Sequence, residues 1–113
     1  MKPRFNLWLE SDDGVVLSAW RVRLLEAIDE SGSIRAAADQ LGVPYRRAWQ
    51  KVHEMEGRSG IRLLETEVGG EGGGGARLTK EARDLVRRFR RFEAGLEEVI
   101  LDRYDKAFGA ANE

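Results

Sequence analysis

Ser33-Ile34-Arg35-Ala36-Ala37-Ala38-Asp39-Gln40-Leu41-Gly42-Val43-Pro44-Tyr45-Arg46-Arg47-Ala48-Trp49-Gln50-Lys51-Val52-His53 is the run that decides the fold. Ser33 is a good helix N-cap, because its hydroxyl can accept from an orphan amide in the first turn. Ile34, Ala37, Ala38 and Leu41 then fall on one helical face. Gly42 stops that helix, since it can take the positive φ of a C-terminal cap. Pro44 suits the first turn of the next helix, where its missing N–H costs nothing, and this helix is expected to run to about Glu56. Two helices joined by Leu41-Gly42-Val43, with small Ala38 letting them approach, fit a helix-turn-helix.

Working outward, Val22, Leu24, Leu25 and Ile28 form an apolar stripe on a preceding helix that begins after Ser18 and ends near Ser31-Gly32. Before it, Phe5, Leu7 and Leu9 alternate with polar neighbours and Asp13-Gly14 leads into Val15-Val16-Leu17, which predicts a β-hairpin. After the central run, Leu63 to Val68 reads as extended, six glycines surround Glu71 between Gly69 and Gly75, and Ala76-Arg77-Leu78 returns as a second strand. Thr79 caps what the spacing predicts as one long final helix, with Leu85, Phe89, Phe92, Leu96 and Val99 repeating every three or four residues. A helix of that length outruns a small core, so this seam of Leu85, Phe89, Phe92, Leu96, Val99 and Ile100 is expected to pair with a second copy. The prediction is a mainly α fold with a little β, a winged helix-turn-helix in one domain over residues 1–113. Its hairpin takes 1–18, the three-helix core 19–56, the wing 61–78 and the dimerisation helix 79–108.

Composition narrows the function. The chain has 113 residues, 42% of them apolar, which is enough to bury a core without staples. It has no cysteine, excluding a disulfide scaffold and a thiol nucleophile, and a single histidine, His53, which cannot form a two-histidine metal site. No catalytic constellation, cofactor, membrane span or export signal is read from it, and a cytoplasmic protein is expected. The net charge of −1 would disfavour nucleic acid if it were evenly spread. It is not: from Tyr45 to His53 there are Arg46, Arg47 and Lys51 with no acid, and basic residues dominate from Arg77 to Arg91.

On a helix, residues fall about 100° apart. If Ala48, Val52 and Met55 face inward, Arg46, Gln50 and His53 point the other way, with Tyr45 and Trp49 on one flank and Arg47 on the other. Arg and Gln carry forked donors and acceptors that match guanine and adenine edges, so Arg46 and Gln50 are the candidate base readers. Arg47 and Lys51 are candidate phosphate contacts, as is Arg77, and Ser33, Tyr45 and the groove-facing His53 complete the candidate DNA-binding residues. Trp49 either caps the core or stacks beside the DNA backbone, and core packing is the expected role. Arg83, Arg87, Arg88, Arg90 and Arg91 divide evenly between DNA contact and a solvated flank.

Ser31-Gly32-Ser33-Ile34 with Ala36-Ala37-Ala38, Tyr45-Arg46-Arg47-Ala48-Trp49, Glu54-Met55 and the run from Gly69 to Thr79 resemble the N-terminal DNA-binding domain of the ModE family of molybdate-responsive regulators. The helix-turn-helix alone is also similar to that of LysR-type regulators. The resemblance spans about residues 19 to 100 and implies a form without the family's oxyanion-binding domains. It further implies a winged-helix homodimer, joined through the first and last helices, that places its third helix in the major groove of a palindromic operator on double-stranded DNA. Genes for molybdate or tungstate transport, or for molybdenum-cofactor enzymes, are the implied targets, and an oxyanion effector or a sensor partner chain the implied input. Pro44 stands where the family often has Ser, and Glu71 occupies a wing-tip position that can be basic. The glycine run can also form an anion nest, a secondary candidate for holding molybdate. Two other readings stay open: a protein-interaction or dimerisation module on the same scaffold, and a ligand sensor acting through this domain alone.

Overall fold

A computed structural model describes residues 1–67 and 75–109. The order of elements is β1 (Trp8–Ser11), β2 (Gly14–Ser18), α1 (Ala19–Ser31), α2 (Ile34–Leu41), α3 (Tyr45–Ser59), β3 (Leu64–Glu67), β4 (Gly75–Leu78), α4 (Lys80–Glu93) and α5 (Leu96–Phe108). The two strand pairs are both antiparallel and separate. The glycine tip from Gly69 to Gly74, with Glu71, lies outside the described residues.

Local signals set most of the boundaries. Ser18, Ser33 and Thr79 each accept a hydrogen bond from the third residue beyond, namely Arg21, Ala36 and Ala82, and so cap α1, α2 and α4. Gly42 takes φ +70° at the end of α2, a conformation that costs an L residue dearly. α3 runs one turn past the expected Glu56, to Ser59, and Pro44 sits just before it in extended conformation rather than inside its first turn.

Val22, Leu24, Leu25 and Ile28 of α1, Ala37 and Ala38 of α2, and Ala48, Val52 and Met55 of α3 form one core with Leu63, Leu78, Ala82 and Phe89. Helix α1 is the central member and buries six of its residues. Backbone bonds lock the wing to this core: Ala76 N–H donates to Gly32 O at 2.8 Å and Thr79 N–H to Leu63 O at 2.9 Å. Asp29 of α1 accepts from Leu78 N–H at 3.0 Å. The hairpin is held from the other side. Arg58 of α3 donates to Val15 O at 2.8 Å, and a Cβ at Gly14 would come within 2.9 Å of that guanidinium carbon. The alternation at Phe5, Leu7 and Leu9 does not make one buried face: Leu7 packs against the core, while Phe5 and Leu9 are exposed.

The expected single helix over residues 79–108 is corrected to two. Ala94 is extended and Gly95 has φ +82°, so the helical hydrogen-bond ladder ends at Glu93 and restarts at Leu96. The break also divides the expected dimer seam. Phe89 is 1% exposed and belongs to the core of its own chain, and Leu85 packs against that core. Neither can form a continuous stripe with Leu96 and Val99, because the αL residue between them resets the helical phase. Phe92 and Val99 are exposed, while Leu96 and Ile100 are half-buried. Helix α5 buries none of its residues, and it helps to give a molecule 66 Å long and 28 by 21 Å across. The N-terminal segment lies along it. Tyr104 Oη donates to Met1 O at 2.8 Å, and Pro3, Arg4 and Phe5 share a cleft with Glu97, Ile100 and Leu101.

Candidate nucleic-acid interface

The geometry of α3 begins with its neighbours. Val43 N–H donates to Ala38 O at 3.0 Å and Gly42 N–H to Asp39 O at 3.2 Å, which closes the turn tightly. Ala37 and Ala38 are fully buried, so α2 and α3 meet without large side chains between them. Arg21 of α1 then reaches Glu54 of α3 at 3.0 Å, and Lys51 and Arg58 stand 3.7 and 3.5 Å from the same carboxylate oxygen. The Arg21 hydrogen bond is the main cause of a Glu54 pKa held below the usual carboxylate value, against the opposing effect of partial burial. These contacts fix which side of α3 faces out.

Arg46, Arg47, Gln50 and His53 all lie on exposed positions of that outer side, and Tyr45 beside them is 40% exposed. Among the described residues, Arg46, Arg47 and Gln50 have no hydrogen-bond or ion-pair partner, so their donors and acceptors remain available. Tyr45, Arg46, Trp49 and Gln50 line an open, shallow concavity of about 340 Å³. The other candidates are further engaged. Lys51 leans on Glu54, and Ser33 uses its hydroxyl oxygen to cap α2. Arg77 pairs across the wing with Glu65 at 3.8 Å, an exposed contact that a phosphate can displace at little cost.

Trp49 requires a correction. It is 43% exposed rather than packed in the core, because the inward arc of α3 is filled by Ala48, Val52 and Met55. Its indole stacks on the His53 ring instead, with centroids 3.7 Å apart. The arginines of α4 are mostly committed within the chain. Arg90 binds Glu26 at 2.6 Å and also contacts Glu93; Arg83 pairs with Asp29, and Arg87 and Arg88 with Asp84.

One residue of this surface escapes sequence reasoning. The Arg35 guanidinium of α2 lies 4.5 Å over the Tyr45 ring, a cation–π contact that places a positive charge beside the start of α3. An arginine in the first turn after a capping serine, with no acid adjacent, is the only sequence signal for it.

Three packed helices, a tight turn before a third helix with an open polar face, and a two-stranded wing define a winged helix-turn-helix domain. Residues 20–83 match the model of the bacterial regulatory helix-turn-helix proteins of the lysR family, and the chain belongs to that family, a class of regulators and not of enzymes. It is similar to the DNA-binding transcriptional dual regulator ModE of Escherichia coli (strain K12), 41% identical over 86 residues that cover 76% of this chain and 33% of that protein. It is also 39% identical to the molybdenum transport protein ModE of Azotobacter vinelandii over 85 residues, 75% of this chain and 32% of the relative. Similarity to the molybdenum-pterin-binding protein MopB of Rhodobacter capsulatus is 37% over 87 residues, 77% and 32% of the two chains. The chain thus spans about a third of the length of these relatives. Among solved structures, the DNA-binding domain in the CbnR–DNA complex shares the fold with a TM-score of 0.54 and 24% identity, over 81% of this chain and 95% of that one.

Proposed function

We propose that this chain is the DNA-binding part of a dimeric transcriptional regulator, with α3 entering the major groove of a pseudo-palindromic operator. The observation that carries the reading is the outer face of α3, where Arg46, Arg47 and Gln50 are exposed and, among the described residues, have no hydrogen-bond or ion-pair partner. In a helix-turn-helix, the second helix of the motif reads base edges, and Arg and Gln are suited to guanine and adenine. Arg47, Lys51, Ser33 and Arg77 surround that face as phosphate contacts, and His53 adds a polar atom to it.

The same reading needs a second copy, since a twofold pair sets two α3 helices about one DNA turn apart or a multiple of it. Apolar Phe92, Val99, Leu101 and Phe108 are exposed on or just before α5, which supports an interface there. The names of the ModE and MopB relatives, which speak of molybdenum transport, molybdenum-pterin binding and transcriptional regulation, support a role in molybdenum-related gene control, and the proposed signal is molybdate or tungstate. Selection of bound sites from random duplexes, with and without molybdate, tests all of this. Recovery of a twofold-symmetric sequence is expected; recovery of none sinks the operator assignment, and the scaffold is then left as an interaction module.

A further inference from the structure

Trp49 and His53 stand four residues apart on α3, the spacing that stacks two side chains on one helix face. Their ring planes lie 25° from parallel with centroids 3.7 Å apart, and His53 Nδ1 is 2.9 Å from the Trp49 carbonyl oxygen. A carbonyl oxygen can only accept. Nδ1 must therefore carry the hydrogen in this contact, and a neutral imidazole then holds its lone pair at Nε2. Nε2 has no partner among the described residues, and the His53 side chain is exposed on the face that carries Arg46 and Gln50. A free surface imidazole samples both tautomers and several rotamers; here the indole and the carbonyl fix both.

We propose that Trp49 and His53 form one reading unit, in which Trp49 is a positioning residue and His53 Nε2 accepts a hydrogen bond from an exocyclic amino group in the major groove. The matching donors are adenine N6 and cytosine N4. The inference rests on the DNA-binding reading above and deepens it. Arginine offers only donors, so an acceptor held nearby extends the set of bases that α3 can distinguish beyond those Arg46 reads.

The test has two arms, both on the whole chain at pH 8, above the ordinary histidine range. Because the sequence has one histidine, its ring ¹⁵N shifts can be assigned without ambiguity in the free protein. They should show Nδ1 protonated and Nε2 bare in wild type, move toward tautomer averaging in Trp49→Ala, and return in Trp49→Phe. In the second arm, affinities are compared on the selected duplex and on duplexes changed one base pair at a time. His53→Ala should lose about five- to tenfold discrimination at one position per half-site, the size expected of a single base hydrogen bond. Trp49→Ala should lose the same discrimination at the same position, and the double variant no more. Trp49→Phe should restore the preference. Full discrimination in Trp49→Ala, or losses that multiply in the double variant, overturns the unit while leaving DNA binding intact. Failure of the wild type to bind any duplex instead overturns the function reading, and this inference with it.

Discussion

Arg21 of α1 donates to Glu54 of α3 at 3.0 Å with its own side chain only 9% exposed, and this pair fixes the rotation of α3 about its axis. Arg21 Nη1 is buried without a partner of its own, so Glu54 is the one acceptor that guanidinium has among the described residues. The two partners are unequal: Glu54 is 36% exposed and keeps Lys51 and Arg58 nearby. Glu54→Ala strands a buried cation and should cost about 1–3 kcal/mol in urea unfolding. Arg21→Met leaves a partly solvated carboxylate and should cost less. The reverse ranking would mean that packing of the Arg21 stem, not the pair, holds α3.

Acid should reveal the same contact. Glu54 has a folded pKa below its unfolded value, so the unfolded chain binds more protons as pH falls. The stabilisation is therefore complete above the unfolded carboxylate value of about 4.3 and is lost as pH drops through the lower folded value. Urea midpoints from pH 7 to pH 3 should show the gap between wild type and Glu54→Gln narrowing at the acid end. A gap that stays constant would contradict this.

Readers and anchors should separate by substitution. Arg46→Ala or Gln50→Ala should cost about 1–3 kcal/mol on the preferred duplex and relax base choice. Arg47→Ala or Arg77→Ala should weaken all sequences alike and reduce the salt slope by about 1. Equal losses from all four on random and preferred DNA would erase the distinction.

The break at Ala94–Gly95 gives a fourth prediction. Phe92→Asp with Val99→Asp should dissociate the proposed dimer in sedimentation equilibrium while leaving the far-ultraviolet circular dichroism of the fold in place. Phe89→Ala, in contrast, should destabilise each protomer by about 3–5 kcal/mol, as loss of a fully buried ring does. An intact dimer in the double aspartate variant would move the interface away from this region.

Much of the fold is legible because its signals are local. Ser18, Ser33 and Thr79 cap with their own side chains, and Gly32 and Gly42 stop helices through their own backbones, so four or five residues suffice to read each. The helix break is not legible for the opposite reason. A glycine inside a helix costs only about 1 kcal/mol, and the apolar spacing from Phe89 through Phe92 to Leu96 runs across it undisturbed. The α3 face follows from Ala48, Val52 and Met55 facing inward. The exposure of Trp49 does not, because it depends on how much inward arc those three residues leave free, and that is decided by α1, α2 and the strand β2 packed against α3. The Trp49–His53 stack needs both facts at once.

The central claim, that the outer face of α3 binds duplex DNA, is tested most directly by fluorescence anisotropy with a labelled mixed-sequence duplex at low salt. Binding that weakens steeply as salt is raised, and that falls further when Arg46, Arg47 and Gln50 are replaced together by Ala, is the predicted result. No rise in anisotropy at high micromolar protein, or an unchanged titration in the triple variant, would contradict it.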